Sequence, residues 1–198
     1  MNNILKRDGL TFSHSTDYGA IRLKENIEIY IQTHPQAKVL KDKLLLEFQE
    51  PGKEPNIFYT NIVGNKVRTS REINSPSDRI NVWVESIVRN IYHSGNTEPI
   101  TYDTNSWFAE YHHGNFAKIH HHYPFALFSF VYFINCPKGS SPLVFTTSGR
   151  KIKAEEGKVV IFPSMLKHHV PDNKCESRIT LAGNLFPQRV REEKKYGY

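Results

Sequence analysis

Cysteine is scarce in this sequence, since only two of its 198 residues, Cys136 and Cys175, are of this type. Two thiols are too few for a disulfide framework, and they do not form a Cys-X-X-Cys pair. We therefore expect both thiols to stay reduced and packed, without a catalytic or metal-binding role.

Long hydrophobic runs are also absent. No stretch approaches the roughly 20 apolar residues of a membrane span. The N-terminus carries Lys6, Arg7 and Asp8 and lacks the apolar segment of a secretory leader. These absences argue against a membrane protein and predict a cytoplasmic location, which is the host cytoplasm if a phage encodes the chain.

Charge of one sign does not dominate either, because 26 Lys and Arg residues stand beside 20 Asp and Glu residues, for a net charge of +6. The basic residues concentrate at 189–195, where glutamates partly cancel them. A nucleic-acid footprint needs basic side chains clustered on one face. The sequence shows no clear nucleic-acid signal, and we expect residues 188–198 to form a solvated charged tail.

The sequence does contain enough apolar material for one folded domain over residues 1–198. Hydrophobic residues make up 38% and aromatic residues 12% of the chain, which is typical of globular proteins. The pattern changes near residue 100. We expect a helical flank with one or more edge strands over 1–100 and a β-rich core with the metal site over 101–187. No pattern indicates an oligomeric state.

Two amphipathic helices are predicted in the flank. The first covers residues 35–48, where one face carries Val39, Leu40, Leu44, Leu45 and Phe48. The second begins with Ser75 as N-cap, Pro76 in the first helical position and Asp78 in the first turn. Its apolar stripe comprises Ile80, Val84, Ile87, Val88 and Ile91. Between the helices, residues 57–63 are typical of a strand.

Short runs rich in aromatic and β-branched residues follow residue 104. They cover residues 107–111, 125–134, 142–146, 150–154, 158–162 and 178–186. Gly139, Gly149 and Gly157 fall where a residue with positive φ closes a hairpin. Because no helices intervene, the spacing predicts an antiparallel sandwich or jelly roll rather than alternating α/β structure.

Five of the 10 histidines lie in two places, the triple His120, His121, His122 and the pair His168, His169. Side chains alternate along a strand, so His120 and His122 point to one face and His121 to the other. With His168 from a distant strand, they form a set of three imidazoles that can hold a metal.

Histidine tracts also occur as exposed polar residues, and we expect His112 and His113 before Gly114 to be of that kind. The triple differs because Ile119 precedes it and an apolar strand over residues 125–133 follows it. This context favours the wall of a buried cavity.

Several short motifs follow one another in the C-terminal half. They are Trp107 with Tyr111-His112-His113-Gly114-Asn115, then His120-His121-His122-Tyr123-Pro124, then residues 129–133, 139–145 and 157–164 leading to His168, and finally Arg178-Ile179-Thr180 with Asn184. In this order they resemble the 2-oxoglutarate- and Fe(II)-dependent oxygenases, in particular the members common in phages and bacteria. The resemblance implies a mainly β chain with N-terminal α-helices and a double-stranded β-helix, the cupin-like jelly roll.

The resemblance also assigns roles to residues. His120, His122 and His168 would hold Fe(II), leaving open positions for the co-substrate 2-oxoglutarate and for O2. Arg178 would bind the far carboxylate of 2-oxoglutarate, because a guanidinium fork matches a carboxylate bidentately. A surface salt bridge is the alternative for Arg178, and its apolar successors disfavour it.

Three further residues are assigned to the co-substrate pocket. Thr180 lies on the same strand face as Arg178 and would add a hydroxyl. Tyr111 and Tyr132 match pocket positions of related hydroxylases. For Tyr132, packing in the core with a satisfied hydroxyl is an equal alternative.

One position departs from the family pattern. The commonest motif places a carboxylate two residues after the first histidine, and this sequence has His122 there. Three neutral imidazoles leave the iron more positive than the usual set. A second register, with His121 as first ligand and Tyr123 in the second position, stays open. The pair of His120 and His122 is favoured because it needs no phenolate ligand.

By resemblance, the reaction is oxidative decarboxylation of 2-oxoglutarate to succinate and CO2, coupled to hydroxylation of a small-molecule or protein substrate, including a prolyl residue. Two alternatives stay open. One is a cupin-like metal-dependent dioxygenase or isomerase that uses the same histidines without 2-oxoglutarate. The other is a non-catalytic jelly-roll protein with a binding or structural role.

Overall fold

Two antiparallel β-sheets lie face to face, and two helices pack on the outer face of the larger sheet. A computed structural model describes residues 3–7, 10–14, 27–50, 62–63, 67–70, 74–92 and 101–187. The predicted fold class, a mainly β jelly roll with N-terminal helices, is confirmed.

The strands and helices follow the chain in a simple order. They are β1 Asn3–Arg7, β2 Leu10–His14, β3 Tyr30–Thr33, α1 Ala37–Gln49, β4 Ile62–Val63, β5 Val67–Ser70, α2 Pro76–Tyr92, β6 Tyr102–Tyr111, β7 Phe116–His120, β8 Phe128–Asn135, β9 Leu143–Phe145, β10 Arg150–Ile152, β11 Lys158–Pro163, β12 His168–Val170 and β13 Arg178–Pro187. The larger sheet has six strands in the order β3-β11-β8-β13-β6-β5, and the smaller has five in the order β10-β9-β12-β7-β4. β1 and β2 form a separate hairpin.

The second helix begins as its sequence predicts. Ser75 Oγ accepts a hydrogen bond from the backbone N–H of Asp78 at 3.1 Å, so Ser75 caps α2. Its buried stripe includes Ile80, Val84 and Val88. Neither α1 nor α2, the helices among the described residues, is long and apolar enough to cross a membrane.

The apolar face predicted for α1 needs one correction. Leu40, Leu44 and Phe48 are buried against the larger sheet, and Leu45 packs beside them. Val39, however, is 59% exposed. Successive helical residues are rotated by about 100°, so Val39 and Leu45 fall on opposite flanks of the buried stripe, and only the flank of Leu45 meets the core.

Some short strands were not predicted from the sequence. The predicted runs omitted β1, β2, β3, β5, β7 and β12, which are at most five residues long and therefore carry little alternation. Of the strand predicted over 57–63, only Ile62–Val63 lies among the described residues, and the tail at 188–198 lies outside them. The division of the chain at residue 100 stays a prediction.

Alternating side chains of the larger sheet contribute to two separate cores. The cluster on the outer face contains Tyr132, Ile179 and Leu181 together with the stripes of both helices. The cluster on the inner face lies between the sheets and contains Phe133 and Phe162 with residues of the smaller sheet. Side chains on the inner face are therefore enclosed by both sheets.

The turn before β11 depends on a glycine. Gly157 has a φ of +78°, as its position in the sequence predicted, and Gly139 and Gly149 also have positive φ. The N–H of Gly157 donates to the carbonyl of Phe133, and its own carbonyl accepts from His34, both at 2.8 Å. A Cβ at this position would overlap the Cβ of Ala37 at the start of α1.

We expect Gly157→Ala to lower the free energy of unfolding by about 3 kcal/mol, because it combines an unfavourable φ with a steric overlap. Gly149→Ala is the matched control, since Gly149 has a φ of +67° but a Cβ added there would meet no described atom within 4 Å. That change should cost about 1 to 2 kcal/mol, the backbone contribution alone. Urea unfolding measures both, and equal losses would contradict the packing of α1 against this turn.

Candidate metal centre

Three histidine side chains converge between the sheets. β7 and β12 are antiparallel neighbours, and their register places His168 opposite His120. The ring centroids of these two residues are 4.3 Å apart, and that of His122 lies 5.0 Å from His120 and 5.4 Å from His168. One ring nitrogen of each lies within 4.8 Å of the others. This spacing suits one metal ion with nitrogen bonds of about 2 Å.

His122 reaches this cluster differently from the way that strand alternation predicts. β7 ends at His120, so the two residues after it are not in the strand. Instead, the backbone N–H of His122 donates to the carbonyl of Ser164 at 2.9 Å. His121 is exposed and Tyr123 is 62% exposed. The structure thus brings together His120, His122 and His168, the favoured set. It leaves His121 and Tyr123, the ligands of the second register, outside the cluster.

Hydrogen bonds orient two of the three rings. Nδ1 of His120 lies 2.7 Å from the carbonyl oxygen of Lys118, and Nδ1 of His168 lies 2.8 Å from that of Leu166. A ring nitrogen that faces a carbonyl must carry the proton and donate it. The lone pair of a neutral ring is then on Nε2, where it is available to a metal.

Burial keeps the cluster neutral. It lowers the pKa of His122 to about 4 and that of His168 to about 3, and repulsion from His120 adds to both effects. The pKa of His120 is also lowered, chiefly by burial. At pH 7 the imidazoles therefore have lone pairs rather than charges. Within the described part of the chain, the cluster includes no carboxylate.

Arg178 is a buried cation that contacts aromatic rings but no acidic side chain among the described residues. It begins β13 and is 1% exposed, and its guanidinium carbon lies 4.6 Å from the ring centre of Tyr111 and 5.4 Å from that of Phe133. Burial lowers the pKa of Arg178, and the nearby Tyr111 hydroxyl offsets part of this effect. Still, none of its three nitrogens has a hydrogen-bond partner among the described residues. Since an unpaired buried charge is costly, this arrangement indicates a site for an anion.

Thr180 and Tyr111 lie on the same side of the sheet as Arg178. Thr180 is buried, and its hydroxyl donates to the carbonyl of Ala109 at 3.4 Å. Tyr111 is opposite Arg178 in the β6–β13 register, and burial raises the pKa of its hydroxyl. Both residues therefore lie on the face that carries the guanidinium, and their role in binding a co-substrate stays a prediction.

The prediction that Tyr132 lines the pocket is wrong. Its side chain belongs to the cluster between the larger sheet and the helices, where its ring meets that of Trp83 edge-on at 6.4 Å. Adjacent strand residues point to opposite faces, and Phe133 occupies the inner face. The alternative given for Tyr132, core packing, describes its position.

Aromatic side chains enclose the histidines. The rings of Phe145 and Phe162 meet edge-on at 5.0 Å, Phe162 lies 4.8 Å from His168, and Trp107 lies 6.2 Å from His122. Apolar walls of this kind limit the access of water to a metal site.

Sequence reasoning missed two polar residues beside His122. Ser129 Oγ lies 2.8 Å from Asn184 Oδ1, and Asn184 Nδ2 lies 3.4 Å from His122 Nδ1. Both residues belong to the motifs that carry the family resemblance, but neither received a role. No signal in a single sequence links two such distant residues.

Solved structures of several prolyl hydroxylases share this architecture. The prolyl-4-hydroxylase of Pseudomonas putida superposes with a TM-score of 0.64 at 19% identity, over 82% of this chain and 94% of its own. The viral collagen prolyl hydroxylase of Paramecium bursaria Chlorella virus-1, in complex with 2-oxoglutarate, gives 0.61 at 15% identity, over 79% and 94%. This chain has the jelly-roll fold of the 2-oxoglutarate oxygenases.

A third structure with this fold has a bound peptide. It is the prolyl hydroxylase of Trichoplax adhaerens in complex with a hypoxia inducible factor fragment, with a TM-score of 0.61 and 15% identity over 80% of this chain and 83% of its own. No protein-family model and no curated protein sequence matches the chain. The similarity is therefore one of fold, and the chemistry has to be argued from the residues of this jelly roll.

Metal binding by the three histidines is tested with His168→Ala, which removes the most buried of them. We expect affinity for Co(II) or Mn(II) to fall at least about 100-fold, more than a lost supporting hydrogen bond costs. His121→Ala is the control and should leave affinity unchanged, because His121 is exposed and outside the cluster. Isothermal titration gives both values. A large loss in His121→Ala would support the second register.

The low pKa values of His122 and His168 predict how stability depends on pH. In the unfolded chain these histidines bind protons below pH 6.5, whereas in the folded chain they stay neutral to about pH 4 and about pH 3. The unfolded state therefore gains protons first, and the metal-free protein loses stability as pH falls from 7 to 4.

Between pH 7 and pH 4, the free energy of unfolding should fall by on the order of 3 kcal/mol less in His168→Gln than in wild type, because glutamine does not titrate. Urea unfolding of wild type and variant at pH 7, 5.5 and 4 measures the difference. Parallel curves for the two proteins would show that His168 titrates normally in the fold.

Proposed function

We propose that this protein is an Fe(II)- and 2-oxoglutarate-dependent dioxygenase that hydroxylates a carbon of its substrate and releases succinate and CO2. The observation that carries the proposal is that a cluster of three histidines able to hold a metal and a buried guanidinium without a hydrogen-bond partner among the described residues both lie between the two sheets. A metal site by itself is common, and a buried arginine by itself does not identify a ligand. Together they match a ligand that chelates a metal at one end and has a carboxylate at the other.

His120, His122 and His168 would hold the iron. When bound, iron supplies the oxygen chemistry, in which decarboxylation of the keto acid is coupled to substrate hydroxylation. The protein contributes neutral nitrogen donors that need no deprotonation at pH 7, because burial has already lowered their pKa values. Three protein ligands would leave coordination positions for the co-substrate.

Arg178 would bind and orient the far carboxylate of 2-oxoglutarate. Its nitrogens have unused donors, and a carboxylate can accept two of them at once. Tyr111 lies next to it and would offer its hydroxyl to the same anion. The Thr180 hydroxyl, on the same face of β13, would donate to the anion by giving up its long 3.4 Å bond to the carbonyl of Ala109. The rings of Tyr111 and Phe133 exclude water around the guanidinium, which strengthens the ion pair.

The substrate proposal is a polypeptide, with a prolyl residue as the target. Support comes from exposed apolar side chains on the two loops that carry His122 and precede His168: Tyr123, Phe125, Leu127 and Met165. The loops are joined because the N–H of Ser164 donates to the carbonyl of Leu127 at 2.9 Å. Exposed apolar groups at the edge of a site suit a chain segment better than a small polar metabolite. The structural neighbours from Pseudomonas putida and the Chlorella virus are prolyl hydroxylases.

The proposal is tested by succinate formation in air with Fe(II) and 2-oxoglutarate. Wild type should release succinate slowly even without substrate, and Arg178→Met should reduce kcat/KM for 2-oxoglutarate by about tenfold to 100-fold, the value of a charged hydrogen-bonded contact. Tyr132→Phe is the control and should leave kcat/KM for 2-oxoglutarate unchanged, because Tyr132 packs against the helices.

Other outcomes favour the rival functions. Metal binding without succinate in any condition would point to a cupin-like enzyme that does not use 2-oxoglutarate. If the protein binds no metal and forms no succinate, a non-catalytic jelly-roll protein is the remaining function.

A further inference from the structure

His122 differs from its two partners in how its ring is held. Backbone carbonyls orient His120 and His168, and no side-chain substitution can remove those acceptors. His122 lies beyond the end of β7, and its Nδ1 faces a side chain, the amide of Asn184. The orientation of this ring therefore depends on a residue from another sheet.

Asn184 is itself fixed. It lies in β13 directly opposite Ser129 in β8, and the Ser129 hydroxyl is 2.8 Å from its amide oxygen. Ser129 is buried, so water does not compete with its hydroxyl for the amide of Asn184. The central strands of the larger sheet thus hold one amide against one imidazole.

The amide can face His122 in two ways. With Nδ2 toward Nδ1, at 3.4 Å, the amide donates to the ring, and the proton of a neutral ring must then lie on Nε2. That tautomer has no lone pair on Nε2 for a metal. Rotating the amide by half a turn places Oδ1 against the ring and Nδ2 against the Ser129 hydroxyl, which can accept. The two orientations have the same shape, so the hydrogen-bond network decides between them.

We propose that Asn184, held by Ser129, is a positioning residue for the metal centre. Its Oδ1 accepts the Nδ1–H of His122, which fixes the ring with its Nε2 lone pair toward the other two histidines. This inference rests on the proposed function only in that His122 is taken as a metal ligand. It gives His122 the same support that the carbonyls of Lys118 and Leu166 give its partners.

The test compares Co(II) affinity and the Co(II) absorption bands of Asn184→Leu and Asn184→Asp. Leucine has a similar size but no acceptor, so affinity should fall about tenfold to 100-fold. Aspartate accepts from Nδ1 at the same place, so affinity should stay within about threefold of wild type or increase. Asn184→Ala repeats the first measurement without added bulk, should leucine disturb the sheet.

Asn135→Leu is the matched control. Asn135 lies in β8 as Ser129 does, but its amide donates to the carbonyl of Ser177 at 2.8 Å, away from the histidines. Its Co(II) affinity should equal that of wild type. A readout without metal comes from the imidazole nitrogen shifts of His122 in a ¹⁵N-labelled protein, which should indicate the Nδ1–H tautomer in wild type and lose that preference in Asn184→Leu.

Two results would overturn the inference: wild-type Co(II) affinity in both Asn184→Leu and Asn184→Ala, or a loss in Asn184→Asp as large as in Asn184→Leu. Failure of the proposed function is separate. If wild type binds Co(II) in a manner sensitive to Asn184 but forms no succinate, the positioning role stands and the oxygenase does not. If wild type binds no Co(II), both are wrong.

Discussion

The pairing of β13 with β6 on one side and β8 on the other is the constraint on which the site depends. Because strand side chains alternate, this pairing sends Leu181 and Leu185 to the helices and Arg178, Thr180 and Asn184 to the space between the sheets. A slip of one residue would exchange the two sets and bury a guanidinium among leucines. The packing of the helices, far from any chemistry, therefore fixes the register in which the polar residues meet.

The interior between the sheets combines two electrostatic features that do not stabilise the fold by themselves. The imidazoles are kept neutral by burial, and the guanidinium stays without an anion among the described residues. The guanidinium is unfavourable for a folded chain without ligands, and the histidines become so as pH falls below their ordinary pKa. A bound metal and a bound anion would compensate both groups, as expected of residues selected for binding rather than for stability.

Much of this could be predicted from one sequence, where local patterns are strong. The cap at Ser75 and the turn at Gly157 follow from short-range chemistry. The three converging histidines were predicted from their clustering in the sequence together with the family resemblance. The face to which Tyr132 points could not be predicted. Strand alternation assigns faces only once one residue has been placed, and apolar residues on both faces of this strand give no such reference.

Long-range pairs were also beyond the sequence. The contact between Ser129 and Asn184 joins residues 55 positions apart, and their identities do not single them out. His122 was included in the right cluster, but through alternation along a strand that ends two residues earlier. Its true support, the bond to Ser164, depends on how two loops meet.

The candidate ligands come from opposite halves of the sandwich. His120 and His168 belong to strands of the smaller sheet, whereas Arg178 begins a strand of the larger one. Between these halves the packing is mainly apolar, and apolar contact resists separation without fixing one sheet against sliding over the other. A molecule chelated at one end and ion-paired at the other acts as a crosslink across the sandwich, so part of its binding energy resists unfolding of the chain.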